Sequence, residues 1–110
     1  MIKGIGIDIV DISRLSDRVA DKILSKKELA EFEGYMKVNK ERAFAFLGGR
    51  LAAKEAYLKA AAIGIYNGIS LTELTVLKGE NGNPYFKDNP SAFLSITHDA
   101  GVAVAVVIIY

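Results

Sequence analysis

Residues 40–62 carry the longest single periodicity in this chain, and a carboxylate stands inside it where a hydrophobic side chain is expected. At about 100° per residue, Phe44, Leu47, Leu51, Leu58 and Ala62 fall on one helical stripe, with Glu55 in its middle. Burying an unpaired charge is costly, so Glu55 calls for a partner, either a cation of the protein or a metal ion. Lys59 lies one turn further on the same side. A solvated Glu-x-x-x-Lys pair contributes only about 0.3 kcal/mol. Phe46, Ala53, Tyr57 and Ala60 make the opposite face apolar too, which leaves little solvated surface for Glu55. The stretch reads as a packed central helix or as one used in an oligomer.

The remaining bounds come from composition. The 110 residues form one domain, 1–110, and 51% hydrophobic residues suit a well-filled core or a large subunit interface. A net charge of +1 gives no general case for nucleic acid or membrane binding. There is no cysteine, so disulfide and thiol chemistry are excluded. The strand pattern begins within the first few residues, and the expectation is a cytoplasmic protein without a signal peptide. The apolar run 102–110 is too short for a membrane helix, which needs about 20 residues.

Gly4-Ile5-Gly6-Ile7-Asp8-Ile9-Val10 alternates with the period of a strand. Ile5, Ile7 and Ile9 share one face; Gly4, Gly6 and Asp8 share the other. Glycines in a strand mark close approach of another backbone or a ligand, so Asp8 stands on a face with little bulk around it. Asp11 or Ser13 is placed to cap the next helix. Over 13–33 the pattern predicts one or two short helices. Arg14, Arg18, Lys22 and Lys26 recur every four residues along one side, either as a solvated face or as a docking stripe for an acidic partner.

Asn39 is the expected cap of the long helix, Gly48-Gly49 costs it about 2 kcal/mol relative to alanines, and Gly64 is the expected terminator. Tyr66-Asn67-Gly68 reads as a turn, 71–77 as a strand or a short lead-in plus strand, Asn81-Gly82 as a hairpin turn, and Pro84 as the start of an edge strand. A strand over 93–97, a turn at 99–101 and a buried strand over 102–110 complete an α+β fold, an antiparallel sheet packed on one long central helix. The sole histidine, His98, sits at the mouth of the last hairpin.

Asp8 and Glu55 are poor zinc ligands but suit Mg²⁺, which takes one or two carboxylates and keeps other positions for water and phosphate. Lys59 and Arg50 would meet phosphate oxygens. There is no Walker-type P-loop and no Ser-His-Asp logic. The residues alone therefore point to a Mg²⁺-assisted reaction on a phosphate or pyrophosphate.

Four segments carry a resemblance: Gly4-Ile5-Gly6-Ile7-Asp8 with Arg14, then Gly49-Arg50-Leu51-Ala52-Ala53-Lys54-Glu55-Ala56-Tyr57-Leu58-Lys59-Ala60, Asn81-Gly82-Asn83-Pro84-Tyr85, and Ser95-Ile96-Thr97-His98. In order and spacing the chain resembles the holo-acyl-carrier-protein synthases, small 4′-phosphopantetheinyl transferases. The resemblance implies the corresponding fold as a homotrimer with active sites between subunits. It implies transfer of 4′-phosphopantetheine from coenzyme A to a serine of apo acyl carrier protein in fatty acid biosynthesis, with Mg²⁺ and with release of adenosine 3′,5′-bisphosphate. Carried over by position, Asp8 and Glu55 are metal ligands, and with Lys59 they form the catalytic set. Arg50, Lys59, Ala62, Pro84, Thr97 and His98 are coenzyme A contacts; Arg14, Arg18, Lys22 and Arg42 are carrier contacts. The chain departs from the family where Ala61-Ala62-Ile63 replaces Phe-Gly-Thr. Two other readings stay open: a non-catalytic oligomeric module with Glu55 and Lys59 as a buried pair, and a Mg²⁺-dependent pyrophosphate hydrolase.

Overall fold

The computed structural model describes residues 1–61 and 70–110. Its spine is helix α3, Lys40–Ala60. As expected, Asn39 caps it: the backbone there is extended and the side-chain oxygen accepts from the Arg42 amide at 3.1 Å, satisfying one N–H that has no partner within the helix. The helix runs unbroken through Gly48 and Gly49. A Cβ on Gly48 would lie 2.9 Å from Ile12 Cγ1, and one on Gly49 would lie 3.2 Å from Ile96 Cγ2. The glycines thus form the flat spot against which the sheet rests. Gly64 and the turn at 66–68 lie outside the described residues.

Strands β1 (Gly4–Asp11), β4 (Phe93–Asp99) and β5 (Val102–Ile109) form an antiparallel sheet in the order β1-β5-β4. The central strand β5 has the small and β-branched side chains that a doubly flanked strand favours. The period-two reading of β1 holds. Gly4 and Gly6 face α3, where a Cβ would collide with the carbonyl oxygens of Ala60 and Ala56 respectively. Behind them Ala52, Ala53 and Ala56 pack fully buried against Ala103 and Ala105. Helix and sheet therefore meet almost backbone to backbone. On the other face Ile5, Ile7 and Ile9 are 61%, 61% and 64% exposed, and Phe93 beside them 60%.

The sheet on the long helix is the expected α+β core, with an addition. Strands β2 (Val76–Lys78) and β3 (Pro84–Phe86) form a separate two-stranded hairpin, with Gly82 at φ 82° in its turn. It docks through Phe86, whose ring centroid lies 4.6 Å from that of Tyr57. The turn at 99–101 has Ala100 and Gly101 both in the left-handed region, at φ 51° and 80°, as a tight two-residue hairpin requires.

Residues 12–38 are more broken than the charge spacing predicts. Ile12–Arg14 and Asp17–Val19 are single 3₁₀ turns, α1 is the one-turn helix Ala20–Ile23, and α2 is Lys26–Val38. Asp11 caps the first turn, as expected: its carboxylate accepts from the Ser13 amide and hydroxyl at 3.1 and 2.6 Å. Ser25 and Glu28 then form a reciprocal capping box that starts α2 afresh. Arg14, Arg18 and Lys22 are all exposed, but they sit on three separate pieces rather than on one helical side.

Candidate active site

The side chains with chemistry to offer gather along one flank of α3 where β1 crosses it. Because Gly4 and Gly6 let β1 lie directly on the helix, Asp8 comes within reach of Lys59: Lys59 Nζ donates to Asp8 Oδ1 at 2.9 Å and to the Ile7 carbonyl at 3.0 Å. The Asp8 side chain is 18% exposed and that of Lys59 53%. Glu55 stands one turn before Lys59 on the same flank, half-buried. It has no hydrogen bond or ion pair to any described residue. The buried Glu55–Lys59 pair is therefore not formed, since Lys59 goes to Asp8 instead.

Among the described residues no group of three or more His, Cys, Asp or Glu could enclose a metal ion. Two carboxylates without further protein ligands are a poor zinc cage and a good Mg²⁺ seat, where water and phosphate complete the coordination. Asp8 and Glu55 would hold such an ion, and Lys59 would stand beside a phosphate bound to it.

The opposite face of α3 has a different character. Arg50 precedes Lys59 by nine residues, about half a rotation around the helix, so within one chain the two do not converge on one phosphate as expected. Arg50 is 7% exposed, its guanidinium lies 4.5 Å from the centroid of the Phe46 ring, and its Nε is buried without a partner among the described residues. Burial pushes its pKa below the ordinary value, partly offset by Glu28, Glu31 and Tyr35.

One turn on from Arg50, Lys54 is fully buried and donates to Glu28 Oε1 at 2.6 Å and to the Ile23 carbonyl at 2.7 Å. Glu28 also accepts from the Ser25 and Val76 amides, both at 2.8 Å. Among the described residues the fully buried acid is thus Glu28 rather than Glu55. Glu55 escapes full burial because its flank opens along the edge of β1. The Ser25-x-x-Glu28 spacing announces a capping box in the sequence, but nothing local announces that Glu28 is buried.

The remaining candidates fall elsewhere. His98 and Arg42 line one groove of about 590 Å³ with Ile12, Asn39 and Asp99, between the start of α3 and the β4–β5 turn. Thr97 alternates with His98 along β4, so it lies on the opposite face of the sheet, level with Val104 and Ile9. Pro84 is half-buried at the start of β3, opposite Lys78. Arg14 is exposed and pairs with Asp11 at 3.4 Å. Ala62 lies outside the described residues.

Two carboxylates and a lysine thus stand where β1 crosses α3, and comparison gives the chain a family. Residues 4–107 match the model of the 4′-phosphopantetheinyl transferase superfamily. A holo-[acyl-carrier-protein] synthase of Listeria welshimeri is 40% identical over 119 aligned positions, covering 99% of this chain and 98% of the relative. That of Enterococcus faecalis is 38% identical, covering 99% and 97%. Among solved structures, the Bacillus anthracis holo-(acyl-carrier-protein) synthase in complex with CoA (3′,5′-ADP) superposes with a TM-score of 0.85 at 35% identity, over 98% of this chain and 96% of that one. The Neisseria meningitidis holo-[acyl-carrier-protein] synthase gives 0.79 at 29% identity, over 98% of both chains. The chain belongs to the 4′-phosphopantetheinyl transferase superfamily, among its holo-[acyl-carrier-protein] synthases.

Proposed function

We propose that this protein transfers 4′-phosphopantetheine from coenzyme A to a serine of apo acyl carrier protein, releasing adenosine 3′,5′-bisphosphate, in the cytoplasm. The observation that carries the reading is the flank of α3 on which Lys59 holds Asp8 at 2.9 Å while Glu55 stands without a partner among the described residues. Asp8 and Glu55 would hold Mg²⁺, which would supply neutralisation of the negative charge on the diphosphate. Lys59, already beside the Asp8 carboxylate, donates to a phosphate oxygen. Arg50, a buried guanidinium whose Nε has no partner among the described residues, and the Arg42–His98 groove offer further hydrogen-bond donors to the nucleotide part. Arg14, Arg18 and Lys22 meet the acidic carrier.

Those donors lie on different faces of one chain, which fits active sites completed between subunits. A homotrimer is further supported by the bare Ile5–Ile7–Ile9 stripe of β1, because an exposed apolar sheet face of this kind marks an interaction site. The test is mass spectrometry of apo carrier protein incubated with coenzyme A, with and without Mg²⁺. A mass gain of one phosphopantetheinyl group that needs the ion is expected. An unmodified carrier overturns the reading, and release of adenosine bisphosphate without a modified carrier points to hydrolysis instead.

A further inference from the structure

We infer that the buried Glu28–Lys54 pair is a positioning device that fixes the basic carrier-docking segment relative to the catalytic flank of α3. The inference rests on the transfer reaction proposed above. Lys54 Nζ holds the Ile23 carbonyl at 2.7 Å and Glu28 Oε1 at 2.6 Å. The Glu28 carboxylate is held in turn by the Ser25 and Val76 amides, both at 2.8 Å. Four segments thus meet at one charge pair: the end of α1, the start of α2, the middle of α3 and the start of β2. Lys22, the last of the exposed docking residues, is the chain neighbour of Ile23; Glu55 is the chain neighbour of Lys54. One hydrogen bond links the two sets.

The docking segment needs such a fixture. Residues 12–23 consist of two 3₁₀ turns and a one-turn helix, and elements this short do not hold themselves. Ala20, Ile23 and Leu24 bury into the cluster around Leu47 and Phe32, but apolar burial is non-directional. The Lys54 ammonium supplies the directional constraint. Nor is its main use thermodynamic: a buried ion pair often gives no more stability than apolar residues of equal volume. Burial indeed pushes the Lys54 pKa below its ordinary value, with Glu28 partly opposing.

The test compares wild type with the charge-free double variant Glu28→Leu/Lys54→Met and with Glu28→Gln, a conservative change that keeps the side chain's shape. Melting temperature is read by circular dichroism, and transfer is read with coenzyme A and apo carrier protein varied in turn. Both variants are expected to fold, with KM for the carrier raised at least tenfold and KM for coenzyme A within twofold of wild type. A folded double variant with an unchanged carrier KM overturns the inference, as does an equal rise in both KM values. Loss of the fold in both variants also overturns it, since the pair would then be needed for the fold itself. A wild-type protein that does not modify the carrier overturns the transferase reading and this inference together. A wild type that transfers, beside a variant with an unchanged carrier KM, overturns this inference alone.

Discussion

The two sides of α3 each present a lysine to a carboxylate, and they use the pair in opposite ways. On the α2 side, Lys54 and Glu28 are both fully buried, and the pair holds two backbone amides and one carbonyl as well. On the β1 side, Lys59 is half in solvent, Asp8 is partly exposed, and Glu55 has no partner among the described residues. A saturated network has nothing left to offer a ligand; an incomplete one at a surface does. Burial and saturation, not residue type, separate the structural pair from the one proposed to bind substrate.

The sharpest way to break this contrast is to remove one ammonium at a time. Lys54→Met should destabilise the protein by about 3–5 kcal/mol in urea unfolding, because it strands a buried carboxylate. A loss under about 1 kcal/mol would erase the distinction between the two sides. Gly6→Ala comes next, with a loss of about 3 kcal/mol and a lower melting temperature, because its Cβ meets the Ala56 carbonyl oxygen and the backbone must move. On the β1 side the balance reverses. Lys59→Met should change stability by no more than about 1 kcal/mol, and Glu55→Gln by about 0.5 kcal/mol or less. Each should nonetheless lower turnover at least about 100-fold in a coenzyme A and apo carrier assay. Wild-type turnover by Glu55→Gln would remove it from the proposed metal site.

The smallest effect concerns Asp11. The Ser13 hydroxyl and then its amide hold the Asp11 carboxyl below the ordinary value of 3.8, with Arg14 adding a little. A depressed folded pKa gives stability that is present above pH 3.8 and fades as pH falls through the lower folded value. Melting curves of wild type and Asp11→Ala should therefore differ by a constant amount above pH 3.8 and converge below it. A difference that grows on acidification would contradict the assignment.

Much of the β1 side was legible in the sequence because its signals are local and periodic. Gly4, Gly6 and Asp8 alternate with three isoleucines; Asn39 precedes a helical run; Glu55 interrupts an apolar stripe. The buried side was not, because Glu28 and Lys54 are joined only by tertiary packing across 26 positions, and each looks like an ordinary surface residue of a helix. The four-residue rhythm of Arg14, Arg18 and Lys22 suggests a continuous helical side for a related reason. Charge spacing shows the cations but not that α1 ends at Ile23 and that the Ser25–Glu28 capping box starts α2 afresh. Family position puts Arg50 with Lys59, and the rotation of the helix separates them.

The contact of β1 with α3 has a consequence for how this protein can change over time. With no side chain between the strand at 4 and 6 and the helix at 56 and 60, there is no soft filler to absorb a substitution. A library randomised at positions 4 and 6 alone should return mostly glycine, and neither segment can drift unless the other drifts with it. The spacing between Asp8 and the lysine that grips it is therefore inherited from bare main chain, which makes it one of the slowest dimensions of the molecule to evolve.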